Sequence, residues 1–538
     1  MNMLAWIKNL IKNNDAEILD WKTDSSIYKF LKENLDENGK LKDSANDLPD
    51  EKAVNENEVR FAPGLLDSMF GTLETEESKN KINDLVKLIV RVAEYGDVKS
   101  KSKFYQMITG SDSIIGIIDD FLKKIINISP RVNPYLLEFS KDLAFETSNR
   151  NAVKVGIALV GICGERSVVD KIKLIGLHDE FTLFSIVAIS NISDNKVNDF
   201  WEIAKKVDGW GKIHAVERLT KMELPAPIKK WLITDGYKNS IMYEYLAYTC
   251  AINGDLQNVI VEYTIDNKIF KSSGEIVEAL ITGGPAEDIS HYQYASILIS
   301  NYVRHAQTQA ADIFDFNVLH QIKDFLTGLQ TDIDQRSKNG WDEDVISNCL
   351  IDIVSIFNNK DWAELAIAAL KSDDNLIFWN GKKAAKELHI DIWGIVWSKL
   401  KNKPSESSLW YDVVHEAKAE NVDEVLELAT KVLPLETMAT GPLDSLGLGP
   451  EFVKYQSLDY LVPFLENYPT KGESILLTAL WSPVTRNRNL AIKVLQKWGN
   501  ANWSDTILAK LRQLSEVEPN NSTKENVLRV LRGQELSY

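Results

Sequence analysis

Apolar residues recur along most of this chain at three- and four-residue intervals, and helix-stopping residues cut the pattern roughly every ten to sixteen positions. KINDLVKLIVRVAEYG sets Ile82, Val86, Ile89 and Ala93 on one helical face and stops at Gly96. SDSIIGIIDDFLKKIINISP opens on Ser111, a good helix cap, and closes before Pro130. NPYLLEFSKDLAFETSN carries Pro134 in the first turn, where a missing N–H is harmless. The same grammar runs through FTLFSIVAISNI, SIMYEYLAYTCAING, VISNCLIDIVSIFNN and VDEVLELATKVL. Alternating runs joined by a two-residue turn are missing; Asp235-Gly236 and Asn339-Gly340 fall at helix boundaries. The pattern predicts an all-α protein of roughly two dozen short helices.

Short helices in long succession cannot each bury an apolar stripe alone, and stacking pairs solves the problem. The expectation is a helical solenoid of HEAT/armadillo-like helix pairs, with a loose period of roughly 35 to 45 residues. Polar stretches suggest the divisions. Residues 1–35 form an N-terminal helical segment, and 36–61, DENGKLKDSANDLPDEKAVNENEVRF, read as a polar linker. The first part of the solenoid spans 62–330, a polar loop 331–344, and the second part 345–538. The Gly/Pro-rich stretch 434–450 is a loop too long for a simple turn.

Charge narrows the partners. A net charge of −17 with no dense basic block argues against nucleic acid, whose phosphates need a cationic face. Cys163, Cys250 and Cys349 lie far apart amid apolar residues, which predicts buried thiols and a cytoplasmic protein. No run is long and apolar enough to predict a transmembrane segment. Near the N-terminus Leu4, Ile7, Leu10 and Ile11 share a helical face that is expected to dock on the rest of the protein.

Candidate chemistry concentrates in DGWGKIHAVERL, residues 208–219. Two glycines, a lysine and a histidine suggest a phosphate cradle, but a P-loop needs GxxxxGK followed by Ser or Thr after a strand. A turn between two helices is the expectation instead. Ile213, Val216 and Leu219 form the packed side, while His214 and Arg218 lie opposite. Trp210, Lys212, His214 and Arg218 are therefore the candidate groove residues. AVKVGIALVGICGERS has glycines at 156, 161 and 164, spaced for close helix packing and not for a dinucleotide turn. No metal-ligand motif, cofactor-binding motif or catalytic residue can be assigned. His178 and Glu180 make an HxE without a further histidine to complete a triad. Fourteen tryptophans, several at helix ends, are expected to fill gaps between helices, with a subset left to line a groove.

The C-terminal WSPVTRNRNLAIKVLQKWG resembles the second helix of a HEAT-type repeat. More specifically, VDGWGKIHAVERL, KKWLITDGYKNSIMYEYLAYTCA and SPVTRNRNLAIKVL resemble a group of bacillus-type bacterial proteins that carry the name limonene hydroxylase. The resemblance covers most of the chain. It implies NADPH- and O2-dependent hydroxylation of limonene to carveol and perillyl alcohol, and NAD-dependent oxidation of such alcohols. The residues themselves favour a different class, a non-catalytic α-solenoid binding a protein or peptide on its concave face. Both readings stand at this level.

Overall fold

The computed structural model describes residues 25–51, 76–110, 113–128, 134–332 and 339–536. Those residues are all-helical, and strand-like pairing is confined to two isolated bridges, Leu35 with Leu41 and Ser445 with Val484. The stripe of Leu4 to Ile11 lies outside the described residues, as does the expected cap Ser111. Polar caps start many of the helices. Asp97, Asn149, Asp266, Asp342, Ser504 and Asn520 each accept a backbone N–H from the first turn that follows. Gly96, with φ of +64°, ends the Glu76–Tyr95 helix as the pattern required.

The chain divides into two compact units between Lys360 and Asp361, not within 331–344. Asn339 and Trp341 are buried, and the Asn339 amide donates to the carbonyls of Ile289 (3.2 Å) and Ser290 (2.9 Å). Asn339 and Trp341 thus belong to the first unit. The expected linker is likewise structured where it is described. Ala45 and Leu48 are buried, and Asp50 accepts from Arg150 through both its backbone N–H (2.7 Å) and its guanidinium (3.0 Å). Glu51 holds the same guanidinium. Linker-like composition misleads here because the residue that neutralises it lies a hundred positions further on.

In the first unit the helices Pro134–Phe145, Arg150–Cys163, Asp179–Ile192 and Gly209–Leu219 pack one on the next. The last three start 29 and 30 residues apart. Glycine sets how closely they approach. A Cβ on Gly156 would lie 2.4 Å from the Ala144 nitrogen, and one on Gly161 would lie 2.9 Å from Ala188 Cα. The glycines of the 152–167 stretch thus serve helix packing, as their spacing suggested. Lys154, almost wholly buried, reaches Glu180 on the next helix at 2.6 Å. A second series runs alongside, with Lys173 of the Val169–Ile175 helix bridging Asp199 (3.0 Å) and Glu202 (2.7 Å) of the Lys196–Ala204 helix.

The second unit repeats the arrangement with the helices Ser407–Glu416, Gln456–Phe464, Thr485–Trp498 and Asn521–Leu531. Its most buried charges are Arg488 and Glu518, both fully out of water. The guanidinium meets the carboxylate twice, at 2.7 and 2.6 Å, and donates to the carbonyls of Ser482 (2.9 Å) and Pro483 (3.1 Å). Buried Asn487 links Ser482 to Asp459, which also takes a two-pronged contact from Arg486. The polar Arg-Asn start of the resembling motif is therefore a joint between helices.

Two outcomes test this packing. Gly156→Ala should lower stability by about 2 kcal/mol, because backbone blocks the new methyl. Gly116→Ala, with open space around its Cβ, should raise stability by about 0.5 kcal/mol; thermal melts of both variants decide. Arg488→Met should cost about 3–5 kcal/mol by stranding a buried carboxylate, and adding Glu518→Leu should recover much of the loss in urea unfolding.

Candidate functional site

DGWGKIHAVERL is the first turn and body of one helix, not a turn between two. The preceding helix ends at Ala204, and Gly209, Trp210 and Gly211 open the next. Gly209 takes a left-handed φ of +55°. The backbone N–H groups of Trp210 and Gly211 point at the carboxylate of Asp179, the first residue of the neighbouring helix. A Cβ on Gly209 would stand 2.6 Å from one Asp179 oxygen, and one on Gly211 would stand 2.5 Å from the other. The two glycines admit a carboxyl group to a helix N-terminus. That carboxyl is the protein's own side chain, so no room remains for a phosphate. Asp208 is engaged too, accepting the Ser240 N–H at 2.8 Å.

Burial raises the Asp179 pKa to about 7, against the pull of the two N–H donors, and the charge of Asp208 adds to the rise. His178 caps the same helix by accepting the Glu180 N–H on Nδ1 at 3.2 Å. Its burial lowers its pKa to about 4. The HxE pair noted in the sequence is thus a buried cap.

The four candidate groove residues separate. Trp210 is buried and packs edge-on against Tyr245, with ring centroids 5.1 Å apart. Lys212 donates to the Asp235 carbonyl at 2.9 Å and lies over the Trp231 ring; burial lowers its pKa. These two are packing residues, a correction to the expectation. Because the helix begins at Gly209, its first turn lies beneath the 243–245 turn. His214 and Arg218 sit half-buried on the side opposite Ile213, Val216 and Leu219. Burial, then the charge of Arg218, brings the His214 pKa down to about 4, so the ring is neutral.

The element missed by the helical reading is SIMYEYLAY. The helix there starts only at Ala247, and Tyr243–Tyr245 form a single tight turn. Three tyrosines two and three positions apart were the available signal. Tyr243 packs edge-on to Tyr237 at 5.4 Å, and Tyr248 to Tyr292 at 6.2 Å. The Tyr237 hydroxyl donates to Glu275, which also pairs with Lys238 at 2.8 Å. Ile241 and Met242 remain 37 % and 39 % exposed beside this aromatic turn.

Other candidate chemistry is dispersed. Cys250 and Cys349 are buried and Cys163 half-buried; burial raises all three thiols, Cys349 to about 11. Among the described residues no three His, Cys, Asp or Glu side chains converge as metal ligands, and no helix is long and apolar enough to cross a membrane. The glycines that a nicotinamide pyrophosphate would need face helix backbone at Gly156 and Asp179 at Gly209 and Gly211. The residues present do not fit a dinucleotide at either stretch.

Proton linkage offers a direct check on the cradle. Asp179, raised from an ordinary 3.8 to about 7, holds its proton more tightly folded than unfolded. It stabilises the fold in acid and loses that contribution as pH rises from about 4 through 7. His178 and His214, lowered from 6.5 to about 4, act oppositely: their contribution is complete above pH 6.5 and fades as pH falls towards 4. Asp179→Asn should therefore compare better with the wild type at pH 7.5 than at pH 4.5 in paired thermal melts. A difference independent of pH would mean that Asp179 ionises normally.

Comparison of the chain with protein-family models, with curated proteins and with solved structures finds no match.

Proposed function

We propose that this chain is an α-solenoid of HEAT- or armadillo-like helix pairs that works by binding a segment of another protein along a helical face. The observation that carries the reading is the short, recurrent reach of its inter-helix bonds. Lys154–Glu180, Lys173–Asp199 and Lys229–Asp255 each span 26 residues, and Lys382–Asp412 and Arg488–Glu518 each span 30. Between these stretches the steps lengthen, to 44 for Lys271–Asp315 and 50 for Lys360 to the Ala310 carbonyl. Of these steps only the 44 falls within the 35 to 45 that the sequence suggested. The helices these bonds join are near neighbours in sequence, which supports a quasi-one-dimensional stack. Such stacks offer long side-chain-lined faces, and their common use is recognition.

The hydroxylase activity implied by the resemblance needs an oxygen-activating centre and a nicotinamide site. The two glycine-bearing stretches are filled by the protein itself, so the binding reading is preferred.

Two measurements decide. Lys154→Met should speed amide exchange in the Arg150–Cys163 and Asp179–Ile192 helices and leave the Ile313–Leu329 helix unchanged. A uniform rise across the first unit would overturn the one-dimensional stack. Highly purified protein incubated with limonene, NADPH and O2 should yield no carveol or perillyl alcohol by gas chromatography. Product in proportion to protein would overturn the non-catalytic reading.

A further inference from the structure

An asparagine followed by glycine carries a reaction of its own. The glycine backbone nitrogen can attack the asparagine side-chain carbonyl carbon, closing a five-membered succinimide and expelling ammonia. Glycine allows this best, because no Cβ crowds its nitrogen and its backbone turns freely. The chain holds four such steps, at Asn38-Gly39, Asn253-Gly254, Asn339-Gly340 and Asn380-Gly381. Three of them are locked by the fold. Asn253 ends the Ala247–Asn253 helix, where its side-chain amide donates to the Thr249 carbonyl at 2.8 Å. The Gly254 nitrogen is occupied too, donating to the Cys250 carbonyl at 2.9 Å in a buried joint. Asn380 is buried within the Asn375–Glu387 helix, and its amide donates to the Leu376 carbonyl at 2.9 Å. Asn339 is the buried side chain held by the Ile289 and Ser290 carbonyls.

Asn38 stands apart. It is exposed at the tip of a small hairpin, closed by the Asp36 N–H on the Lys40 carbonyl (2.8 Å) and the Lys42 N–H on the Asn34 carbonyl (3.0 Å). Its side-chain amide turns to the Asp36 carboxylate in the same turn, which also accepts the backbone N–H groups of Asn38 and Lys40 at 2.8 Å each. The Gly39 N–H donates to the Asp36 carbonyl at 3.1 Å, in a surface turn where such bonds open locally at little cost. Gly39 has a left-handed φ of +69°, and a Cβ built on it would stand 3.0 Å from Lys206 Nζ. A cation therefore lies against the step that would react.

We propose that Asn38 is a self-modifying site, at which the Gly39 nitrogen displaces ammonia from the side chain with the Lys206 ammonium alongside. Water then opens the ring at either of its carbonyls and leaves aspartate or isoaspartate. One water is consumed and one ammonia released, with no other reactant. Negative charge gathers first on the Gly39 nitrogen and then on the attacked carbonyl oxygen, and a neighbouring ammonium stabilises both. Either product sets a new carboxylate near Lys206. The isoaspartyl form also adds a methylene to the main chain at the hairpin tip, which shifts the pairing of Asn34 with Lys42 on the way to buried Ala45 and Leu48.

The test incubates the full chain at pH 7.5, folded and in urea, and follows the four Asn-Gly peptides by mass spectrometry after digestion. A gain of one mass unit marks conversion, and chromatography separates aspartate from isoaspartate. In the folded chain Asn38 should convert at least about tenfold faster than each of the other three, which react only through local opening. In urea the four rates should converge to within about threefold, since the fold no longer sets them apart. Conversion of Asn38 no faster than the others in the folded chain overturns the site. An advantage of the same size in urea overturns the argument from the fold. Lys206→Met should slow Asn38 about threefold when folded and leave its rate in urea unchanged. Equal folded rates in that variant and the wild type overturn the part given to the lysine.

Discussion

An isolated helix of fifteen residues or fewer is marginal in water, and most helices among the described residues are that short. Each therefore depends on a neighbour to cover its apolar stripe, and the register between neighbours has to be specified. Buried polar contacts at the joints supply that register. Lys154 reaches Glu180, Asp179 enters the first turn of the next helix, and Arg488 grips Glu518. Apolar packing alone tolerates sliding by a turn. A buried charge does not, because any other register leaves it unpaired.

Local and distant information divide cleanly between what the sequence displayed and what it hid. Helical periodicity, the Pro134 start and the Gly96 stop depend on residues within one turn of each other, and all were legible. The packing role of Gly156 and Gly161 was legible as well, since small residues on an apolar helix face have few other uses. The fate of residues 36–51 was not legible. Their charges look solvated until Arg150 is brought to them by the fold. Nor could the sequence show that Asn339 would be tied down by two carbonyls and that the break between units would fall later.

The candidate site shows the same division. The sequence reading set aside an anion cradle at the glycines of DGWGKIHAVERL because the P-loop pattern was missing. What fills the space beside them was a tertiary question, and the answer is the Asp179 carboxyl. His214 and Arg218 were placed on the correct side of their helix, opposite Ile213, but Trp210 and Lys212 met partners 35 and 23 residues away that no pattern announced. The tyrosine turn that shapes the exposed face was read as helix because its spacing suits either state.

The short reach of the joints also bears on how the chain is made. A lysine whose partner lies 26 residues ahead can find it soon after those residues leave the ribosome. Joints of that reach cost little loop-closure entropy, which favours early formation. Asp50 is different, since its guanidinium partner emerges a hundred residues later. That joint can close only after the chain between its two halves has been made, so it forms later than the lysine joints.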